Sequence, residues 1–248
     1  MPEGRNPNRM LGCDLTLPSP QENLACDEAL MAMCEDHGAA EVLRLWEPNQ
    51  YFVVVGYGNH VHSEVNLPFC QQHTIPVYRR CTGGGTVLQG PGVLNYTLIL
   101  RSDSASQAHS ITAANNFILK RHQAALAALL QAPVEIRGHT DLAIGGLKFC
   151  GNSQRRGKRF LLFHGSFLLH FDIELVERAL PMPSRVPDYR LGRSHADFLM
   201  NLKIPVSLLK GALLKAWDAK ETLAEIPWDR IAELTRGKYM RDEWNYKF

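Results

Sequence analysis

The apolar segments of this sequence follow one another in an order that constrains the fold more than any single motif. Short runs rich in branched and aromatic residues are separated by turn residues, which is typical of strands linked as hairpins. We predict strands in six segments: EVLRLWE (41–47), YFVVVGYGN (51–59, ending in a glycine turn), IPVYRR (75–80), VLNYTLIL (93–100), DLAIGGLKFCGNSQRR (141–156) and RFLLFHGSFLLHF (159–171). This order favours an α+β class with a mixed, largely antiparallel sheet and flanking helices.

Apolar residues at helical spacing predict helices in three places. The first runs from Gln21 to Glu35 with Asn23 as its N-cap, and the longest runs from Ser110 to Gln131. The segment 207–235 predicts two short helices separated near Pro227. Polar residues 1–10 indicate a flexible tail, and the absence of repeats or a composition shift predicts one domain over residues 11–248.

Composition excludes several classes of protein. The 248 residues carry a formal net charge of only +2, which disfavours a dedicated nucleic-acid binder. Six cysteines lack any C-x-x-C spacing, so neither a zinc site nor a disulfide framework is expected. No apolar run reaches membrane-spanning length, and the start of the chain has no signal-like segment. We expect a soluble cytoplasmic protein that binds neither nucleic acid nor membranes.

The stretch YRRCTGGGTV places three consecutive glycines, Gly83, Gly84 and Gly85, directly after Arg79 and Arg80. It is not a P-loop, because no Lys-Ser/Thr pair follows, and it lacks the spacing of the dinucleotide fingerprint. Consecutive backbone amides beside guanidinium groups can surround a phosphate or carboxylate. The alternative is a glycine-rich turn with surface arginines, and the spacing leaves both interpretations open.

A second group of polar residues lies in GHTDLAIGGLKFCGNSQRR. Asp141 and Lys148 would face opposite sides of one unbroken strand, but the intervening Ile-Gly-Gly permits a turn that returns both to one site. Taken singly, Asp141 is better explained as a turn-capping carboxylate and Lys148 as a solvated lysine. Cys150 is either a nucleophile or a small buried apolar residue. Ser153 lacks the closing glycine of a nucleophile elbow, so it is a poor hydrolase nucleophile.

Together these segments resemble the biotin/lipoate protein ligase superfamily, most closely its lipoate–protein ligase branch. The matching elements are NLACDEAL, VVVGYGN followed by EVN, RRCTGGGTV, GHTDLAI, LKFCGNSQRR, HGSFLL and KYMRDEWNY. They occur in the order of the family and extend over residues 11–246. The resemblance implies a fold like the catalytic core of class II aminoacyl-tRNA synthetases and biotin ligases.

The resemblance also implies an activity and a set of site residues. Ligases of this family use ATP and Mg²⁺ to convert lipoate or octanoate into an acyl-adenylate such as lipoyl-AMP. The acyl group then passes to a lysine of a lipoyl-carrier domain, either an E2 component of a 2-oxoacid dehydrogenase or a protein like the H protein of glycine cleavage. The implied catalytic residue is Lys148, which also binds the nucleotide, and the implied metal ligand is Asp141. The remaining implied nucleotide-binding residues are Arg80, Gly83, Gly84, Gly85, Thr86, Val87, Leu88 and His164.

Departures from the family pattern leave alternatives. The octanoyltransferases of the superfamily form a thioester on a cysteine, but Leu161 stands at one known cysteine position, and no cysteine lies between Cys81 and Cys150 to supply the other. Cys150 stands where ligases commonly have serine, so a variant thioester route with acyl-carrier protein or another lipoyl protein as donor stays open. Leu88-Gln89 replaces a common Phe-His pair. A non-enzymatic carrier-binding protein and a biotin ligase are further alternatives. We expect no C-terminal accessory domain, so that a separate subunit would supply its role if one is needed.

Overall fold

The computed structural model describes residues 9–38, 40–103 and 106–248. Eleven strands occur in the described residues: β1 (Met10–Asp14), β2 (Glu41–Trp46), β3 (Phe52–Val55), β4 (Val77–Arg79), β5 (Val87–Gln89), β6 (Val93–Arg101), β7 (Glu135–Arg137), β8 (Asp141–Ile144), β9 (Leu147–Arg156), β10 (Phe160–Leu168) and β11 (Glu221–Thr222). The predicted tail, residues 1–10, lies outside them except for its last two residues, and Met10 already belongs to β1.

Helices fill the connections between these strands. Over the same described ranges they are α1 (Pro20–His37), α2 (Val61–Glu64), α3 (Leu67–Gln72), α4 (Ile111–Leu130), α5 (Ile173–Ala179), α6 (His195–Phe198), α7 (Val206–Ala216), α8 (Trp228–Leu234) and α9 (Asp242–Asn245). A 3₁₀ turn at Asp188–Arg190 follows α5, and a π turn at Thr235–Tyr239 extends α8. None of these helices is long and apolar enough to cross a membrane.

Eight strands form one sheet in the order β11-β1-β2-β6-β10-β9-β8-β7. Only β1 pairs in parallel, with β11 and β2, and the other pairs are antiparallel. A smaller sheet has the order β4-β3-β5, with β3 parallel to β4 and antiparallel to β5. The predicted α+β class with a mixed, largely antiparallel sheet is confirmed.

The large sheet is buried on both faces, which explains its nearly continuous apolar strands. Alternate residues of a strand point to opposite faces, so Leu98 packs on the α4/α7 side and Ile99 on the α1/α8 side. The same alternation separates Leu161 from Leu162 on β10. A third apolar cluster joins the small sheet to α2, α3 and α5. The polar residues of the central strands therefore mark positions with a specific role.

The prediction of Asn23 as the first N-cap is wrong. Ser19 caps α1: its hydroxyl accepts from the Glu22 amide, and the Glu22 carboxylate accepts from the Ser19 amide. This reciprocal capping box satisfies two free amides, so the N-cap lies one turn before Asn23 and the helix begins one residue before the predicted Gln21. Asn23 is instead buried inside α1, where its side chain bonds the Leu17 backbone and Arg44.

The long helix and the two C-terminal helices lie where the sequence predicts them. Ser110 caps α4, and Pro227 separates α7 from α8. The segment 141–156 is divided into β8 and β9 by a tight turn at the glycines where the sequence permits one. Gly145 and Gly146 form this turn with φ angles of 55° and 75°, which residues that carry a Cβ rarely adopt.

Candidate active site

A cleft of about 1010 Å³ opens between the small sheet and the outer strands of the large sheet. Three structures form its walls: the glycine loop between β4 and β5, the β8–β9 hairpin, and the segment that follows α5. Nine of the ten predicted site residues line it: Arg80, Gly84, Gly85, Thr86, Val87, Leu88, Asp141, Lys148 and His164. Gly83 does not line the cleft and contributes only its carbonyl to the loop. The fold thus brings together residues that are far apart in the sequence.

The glycine loop requires glycine at one of its own positions and at one position that it contacts. Gly84 has a φ of 85°, and a Cβ on Gly56 would lie 2.1 Å from the Gly84 carbonyl oxygen. Glycine is needed at both positions because the two backbone segments pass against each other. Cβ atoms on Gly83 and Gly85 would meet nothing within 4 Å. Of these two glycines only Gly85 lines the cleft, and the open space beside its backbone fits the close approach of a ligand.

The two arginines before the loop are buried, which overturns the alternative of surface arginines. Arg79 donates to the carbonyls of Gly56, Tyr57 and Asn59 and to that of Trp244. It does not line the cleft, so it is a structural clamp and not one of two flanking anion-binding groups. Adjacent residues of an extended segment point to opposite faces, so Arg79, the last residue of β4, and Arg80, which follows it, take separate roles.

Arg80 holds the glycine loop from beneath. Its guanidinium donates to Thr82 Oγ1 at 2.9 Å and to the carbonyls of Gly83 and Gly85. Burial lowers the pKa of Arg80 to about 10, so the group stays charged at neutral pH. Within the described chain the salt bridges include no carboxylate partner for Arg80. An uncompensated cation under an open backbone loop creates a positive potential that suits an anionic ligand.

His164 joins this loop to the interior through a chain of polar contacts. Its Nε2 lies 2.7 Å from Thr82 Oγ1, and its Nδ1 lies 3.3 Å from Asp27 Oδ2. An ionised Asp27 carboxylate can only accept, so Nδ1–H donates to it, and Nε2 is left to accept the hydroxyl proton of Thr82, whose oxygen accepts from Arg80. Asp27 therefore fixes the tautomer and the ring orientation.

Asp27 is in turn held by Arg44, at 2.6 Å in a fully buried ion pair. Burial alone would raise the pKa of Asp27, but Arg44 and the hydrogen bond from His164 outweigh it and hold that pKa below its usual value. Sequence reasoning did not identify this network as part of the site. Arg44 could have indicated such a network, because a charged residue inside an otherwise apolar buried strand needs a partner.

The β8–β9 hairpin brings Asp141 and Lys148 together as the Ile-Gly-Gly turn predicts. Lys148 Nζ lies 2.8 Å from Asp141 Oδ1, with 26% of the lysine side chain exposed to the cleft. Tyr189, after α5, donates its hydroxyl to Asp141 Oδ2 at 2.9 Å. Burial, with the nearby Asp141 carboxylate, raises the pKa of Tyr189, so it remains a neutral donor. No local pattern marked Tyr189 in the sequence.

Asp141 offers one carboxylate for a metal ion. Among the described residues there is no cluster of three or more His, Cys, Asp or Glu side chains that could hold a metal. Mg²⁺ commonly binds through one or two carboxylates together with substrate phosphates and water. The donor set therefore fits a magnesium ion delivered with a nucleotide, and not a cage made by the protein alone.

Cys150 is a core residue. Its side chain is 1% exposed, packs in the apolar cluster beneath the sheet, and lies 3.5 Å from Asn152 Oδ1. Burial raises the pKa of its thiol far more than the nearby Lys148 ammonium lowers it. Cys150 nevertheless belongs to the residues that line the cleft, beside Lys148. Of the two interpretations of Cys150, the small buried apolar residue matches the packing.

Comparison with known proteins agrees with this architecture. Residues 19–207 match the family model of the lipoyl protein ligase A/B catalytic domain. Lipoate–protein ligase 1 of Staphylococcus aureus is 26% identical over 93% of this chain and 71% of its own length. The octanoyltransferase LipM of Geobacillus kaustophilus is also 26% identical, over 92% of this chain and 94% of its own length.

A solved structure shares the fold over nearly the whole chain. It belongs to a bipartite lipoate protein ligase described with its E2 lipoyl domain, from Thermoplasma acidophilum. The TM-score is 0.83 with 24% identity, and 96% of each chain is covered. The family match spans well over half of the sequence and includes the glycine loop, the β8–β9 hairpin and His164. The chain therefore belongs to the lipoyl protein ligase A/B catalytic domain family.

Proposed function

We propose that this family member is an ATP-dependent ligase that joins lipoate or octanoate to a lysine of a lipoyl-carrier domain. The observation that carries the proposal is the state of the cysteines, because a transferase of this family would need a reactive thiol. The alternative function is that of an octanoyltransferase, which the similarity to LipM supports.

All six cysteines are free and buried. Burial raises the pKa of every one of them: Cys13, Cys26, Cys34, Cys70, Cys81 and Cys150. The thiolate is the nucleophilic form, and reactive cysteines lie in partly exposed, electropositive surroundings that lower the pKa. These cysteines have the opposite environment, so a thioester route has no suitable nucleophile. A ligase needs none.

The first step of the proposed reaction is activation of the acid. A carboxylate oxygen of the acid attacks the α-phosphorus of ATP, an acyl–O–P bond forms, and the bond from that phosphorus to the leaving oxygen breaks, releasing pyrophosphate. Negative charge on the reacting phosphate is stabilised by Lys148 and by the positive potential of the glycine loop above Arg80. Mg²⁺ held at Asp141 would neutralise phosphate charge further. Lys148 must then exchange part of its contact with Asp141 for the substrate.

The second step is transfer to the carrier. The neutral amine of the carrier lysine attacks the acyl carbonyl, an amide bond forms, the bond to AMP breaks, and the amine loses a proton. Lys148 can hold the carbonyl oxygen and the phosphate through both steps. Since the adenylate is already reactive, positioning of the amine contributes more than a protein nucleophile would.

The partners follow from the same proposal. The carrier is an E2 lipoyl domain or a protein like the glycine-cleavage H protein. The Thermoplasma structure describes a bipartite ligase, which supports an accessory subunit as a second partner. Neither nucleic acid nor a membrane has a role in this reaction.

The test measures acylation of an apo lipoyl domain by intact-protein mass spectrometry. With lipoate or octanoate, the mass shift should require both ATP and Mg²⁺, and pyrophosphate should be released. Efficient transfer from octanoyl-carrier protein without ATP would contradict the ligase assignment.

A Cys150→Ser variant separates the two chemistries at one position. If Cys150 only packs beneath the hairpin, ATP-dependent acylation should remain within about tenfold of the unsubstituted protein, or about 1.4 kcal/mol in the barrier. A nucleophilic Cys150 predicts an inactive serine variant together with an acyl adduct on the wild-type thiol. Mass spectrometry of the protein itself would detect that adduct.

A further inference from the structure

The segment KYMRDEWNY (238–246) matches the family, yet the proposed reaction gives it no part. None of its residues, all of which the structure describes, lines the cleft. Two of its side chains, those of Trp244 and Asn245, instead bond Arg79, which lies 165 and 166 positions before them. Because β4 ends at Arg79 and leads directly into the glycine loop, the segment contacts the support of that loop.

Trp244 and Asn245 close the outer edge of β4, which lies at the border of the small sheet with β3 on its other side. The Arg79 amide donates to Asn245 Oδ1 at 3.0 Å, and the Arg79 carbonyl accepts from Trp244 Nε1 at 2.8 Å. Arg79 is fully buried, so both backbone groups need such partners. The two side chains thus take the place of a neighbouring strand at the end of β4.

The guanidinium of Arg79 holds the turn 56–59, which follows β3. Its Nη1 lies 2.8–3.0 Å from the carbonyl oxygens of Gly56, Tyr57 and Asn59. Its Nε donates to the Trp244 carbonyl at 3.1 Å, so the same guanidinium also bonds the terminal segment. Hydrogen bonds from a charged donor are stronger than those between neutral groups. Arg79 therefore joins the terminal segment firmly to the turn.

The turn 56–59 contacts the glycine loop at two of the loop carbonyls. The Tyr57 amide donates to the Thr82 carbonyl at 2.8 Å, and Asn59 Nδ2 donates to the Gly84 carbonyl at 3.1 Å. Gly56 also lies against the Gly84 carbonyl, with no room for a Cβ. A displacement of the turn would therefore be passed to the backbone of the loop.

The carbonyls of the loop determine where its amides point. In a trans peptide the carbonyl and the following amide point in opposite directions. Tyr57, which holds the Thr82 carbonyl, therefore sets the Gly83 amide, and Asn59, which holds the Gly84 carbonyl, sets the amide of Gly85 in the cleft wall. Amides that are oriented before a ligand arrives bind an anion without a further loss of loop entropy.

We infer that Trp244 and Asn245 are positioning residues for the glycine loop. They hold Arg79, Arg79 holds the turn 56–59, and the turn sets the direction of the loop amides against which the nucleotide phosphates bind. This inference rests on the proposed function for the identity of the ligand. It gives the terminal segment a part in nucleotide binding, although no side chain of that segment lies in the cleft.

The first test is Trp244→Phe in the full chain, which removes the Nε1 donor and keeps an aromatic ring. A loop that adopts the binding arrangement only part of the time binds more weakly by that fraction, and saturating nucleotide restores it. We expect the KM for ATP in ATP–pyrophosphate exchange with lipoate to rise about fivefold, which is the effect of about one hydrogen bond. The rate at saturating ATP should stay within about twofold. A role in stability alone would lower this rate and leave the KM unchanged, and an unchanged KM would overturn the inference.

A pair of variants at Asn245 tests the second contact. Asn245→Leu removes the acceptor for the Arg79 amide, whereas Asn245→Asp keeps an acceptor there and loses only the donor to the Tyr239 carbonyl. The KM for ATP should rise more in Asn245→Leu than in Asn245→Asp, and equal rises would contradict the role of the bond to Arg79. The matched control is Ile231→Val, in the buried cluster beneath α8. It should lower the melting temperature and leave the KM for ATP unchanged.

The failure of this inference can be distinguished from the failure of the proposed function. Absence of ATP–pyrophosphate exchange in the unsubstituted protein would remove the ligase assignment. Amide hydrogen exchange without any ligand would then still measure the positioning. The Tyr57 amide, bonded to the Thr82 carbonyl, should exchange at least about threefold faster in Trp244→Phe, with the amides of β10 unchanged. Equal exchange at Tyr57 in both proteins, or an equal acceleration throughout β10, would overturn the positioning role.

Discussion

At the residue scale, the most informative position is Lys148. Its ammonium is the part-exposed cation on the cleft wall that faces Asp141, and a single hairpin holds both groups. Arg80 is also cationic, but its donors are occupied by the glycine loop. The two cations therefore have separate roles, one directed toward the reacting atoms and one supporting the backbone around them.

Lys148→Ala should fold normally and lose most of its carrier acylation. A preorganised electrostatic donor is typically worth a factor of 10²–10³ in rate, so we expect a loss of about that size. Tyr189→Phe is a matched control, because it removes a hydrogen bond to the same carboxylate and leaves the ammonium in place. A folded Lys148→Ala protein with a nearly unchanged rate would show that Lys148 has only a solvated role.

A second residue-scale prediction concerns the buried pair of Asp27 and Arg44. Asp27→Asn would leave Arg44 buried without a counterion, so we expect a loss of about 3–5 kcal/mol in the free energy of unfolding at pH 7. Asp36→Asn is the control, because Asp36 belongs to an exposed pair with Arg230 and should cost at most about 1 kcal/mol. Urea unfolding of both variants measures the difference.

The pH dependence of this loss has a defined sign. The pKa of Asp27 is lower in the folded protein than in the unfolded chain, so its contribution to stability is present above the unfolded value of about 3.9. It is lost as the pH falls below that value and through the folded pKa. The stability gap between the Asp27→Asn variant and the unsubstituted protein should therefore shrink below about pH 4. A gap that widened with acid would contradict this assignment.

At the element scale, the glycine loop depends on contacts that cross between segments. Gly56→Ala places a Cβ 2.1 Å from the Gly84 carbonyl oxygen, so the loop has to shift. Overpacking of this kind costs about 1–3 kcal/mol, and the displaced loop should also lower ATP–pyrophosphate exchange. Gly58→Ala is the matched control two residues away, where a Cβ meets nothing within 4 Å. Equal effects of the two variants on melting temperature and exchange would refute the contact.

Elements also mark the boundary of what the sequence could predict. The pairing of Asp141 with Lys148 was predictable, since Gly145 and Gly146 supply a local turn between them. The contact between Asp27 and His164 was not, because the two residues are 137 positions apart and meet only through the packing of α1 on β10. Tyr189 also contacts Asp141 from a distant part of the sequence, so no local pattern could predict this hydrogen bond.

The strands too were predictable where their own sequence determines them, and not where they depend on distant partners. Long apolar runs such as β6 and β10 were predictable from composition alone. The short strands β5, β7 and β11 were not predicted, because three or fewer residues contain too little periodicity and depend on their partners. Strand β1, whose first residue had been assigned to the tail, was not predicted either.

The cleft is formed at the scale of the whole molecule, by both sheets together with the segment 181–194 that follows α5. A ligand that contacts the glycine loop, the β8–β9 hairpin and this segment at once links elements that otherwise meet across an open cleft. Such a ligand binds the folded chain and not the unfolded chain, so it must raise the thermal midpoint by mass action. The molecule should therefore respond more strongly to the combined ligands than to either one.

Lipoate, ATP and Mg²⁺ added together should raise the melting temperature more than ATP with Mg²⁺ or lipoate alone, because in the proposed reaction only the combination would form an acyl-adenylate that contacts all three walls. At a ligand concentration 100 times the Kd the stabilisation is about 2.7 kcal/mol. For a chain of this size that corresponds to a shift of roughly 5–11 °C. In Lys148→Ala the extra shift should disappear while the shift with ATP and Mg²⁺ alone largely remains. If the combination adds nothing beyond ATP, and octanoyl-carrier protein stabilises the chain instead, the cleft is adapted to transfer and not to ligation.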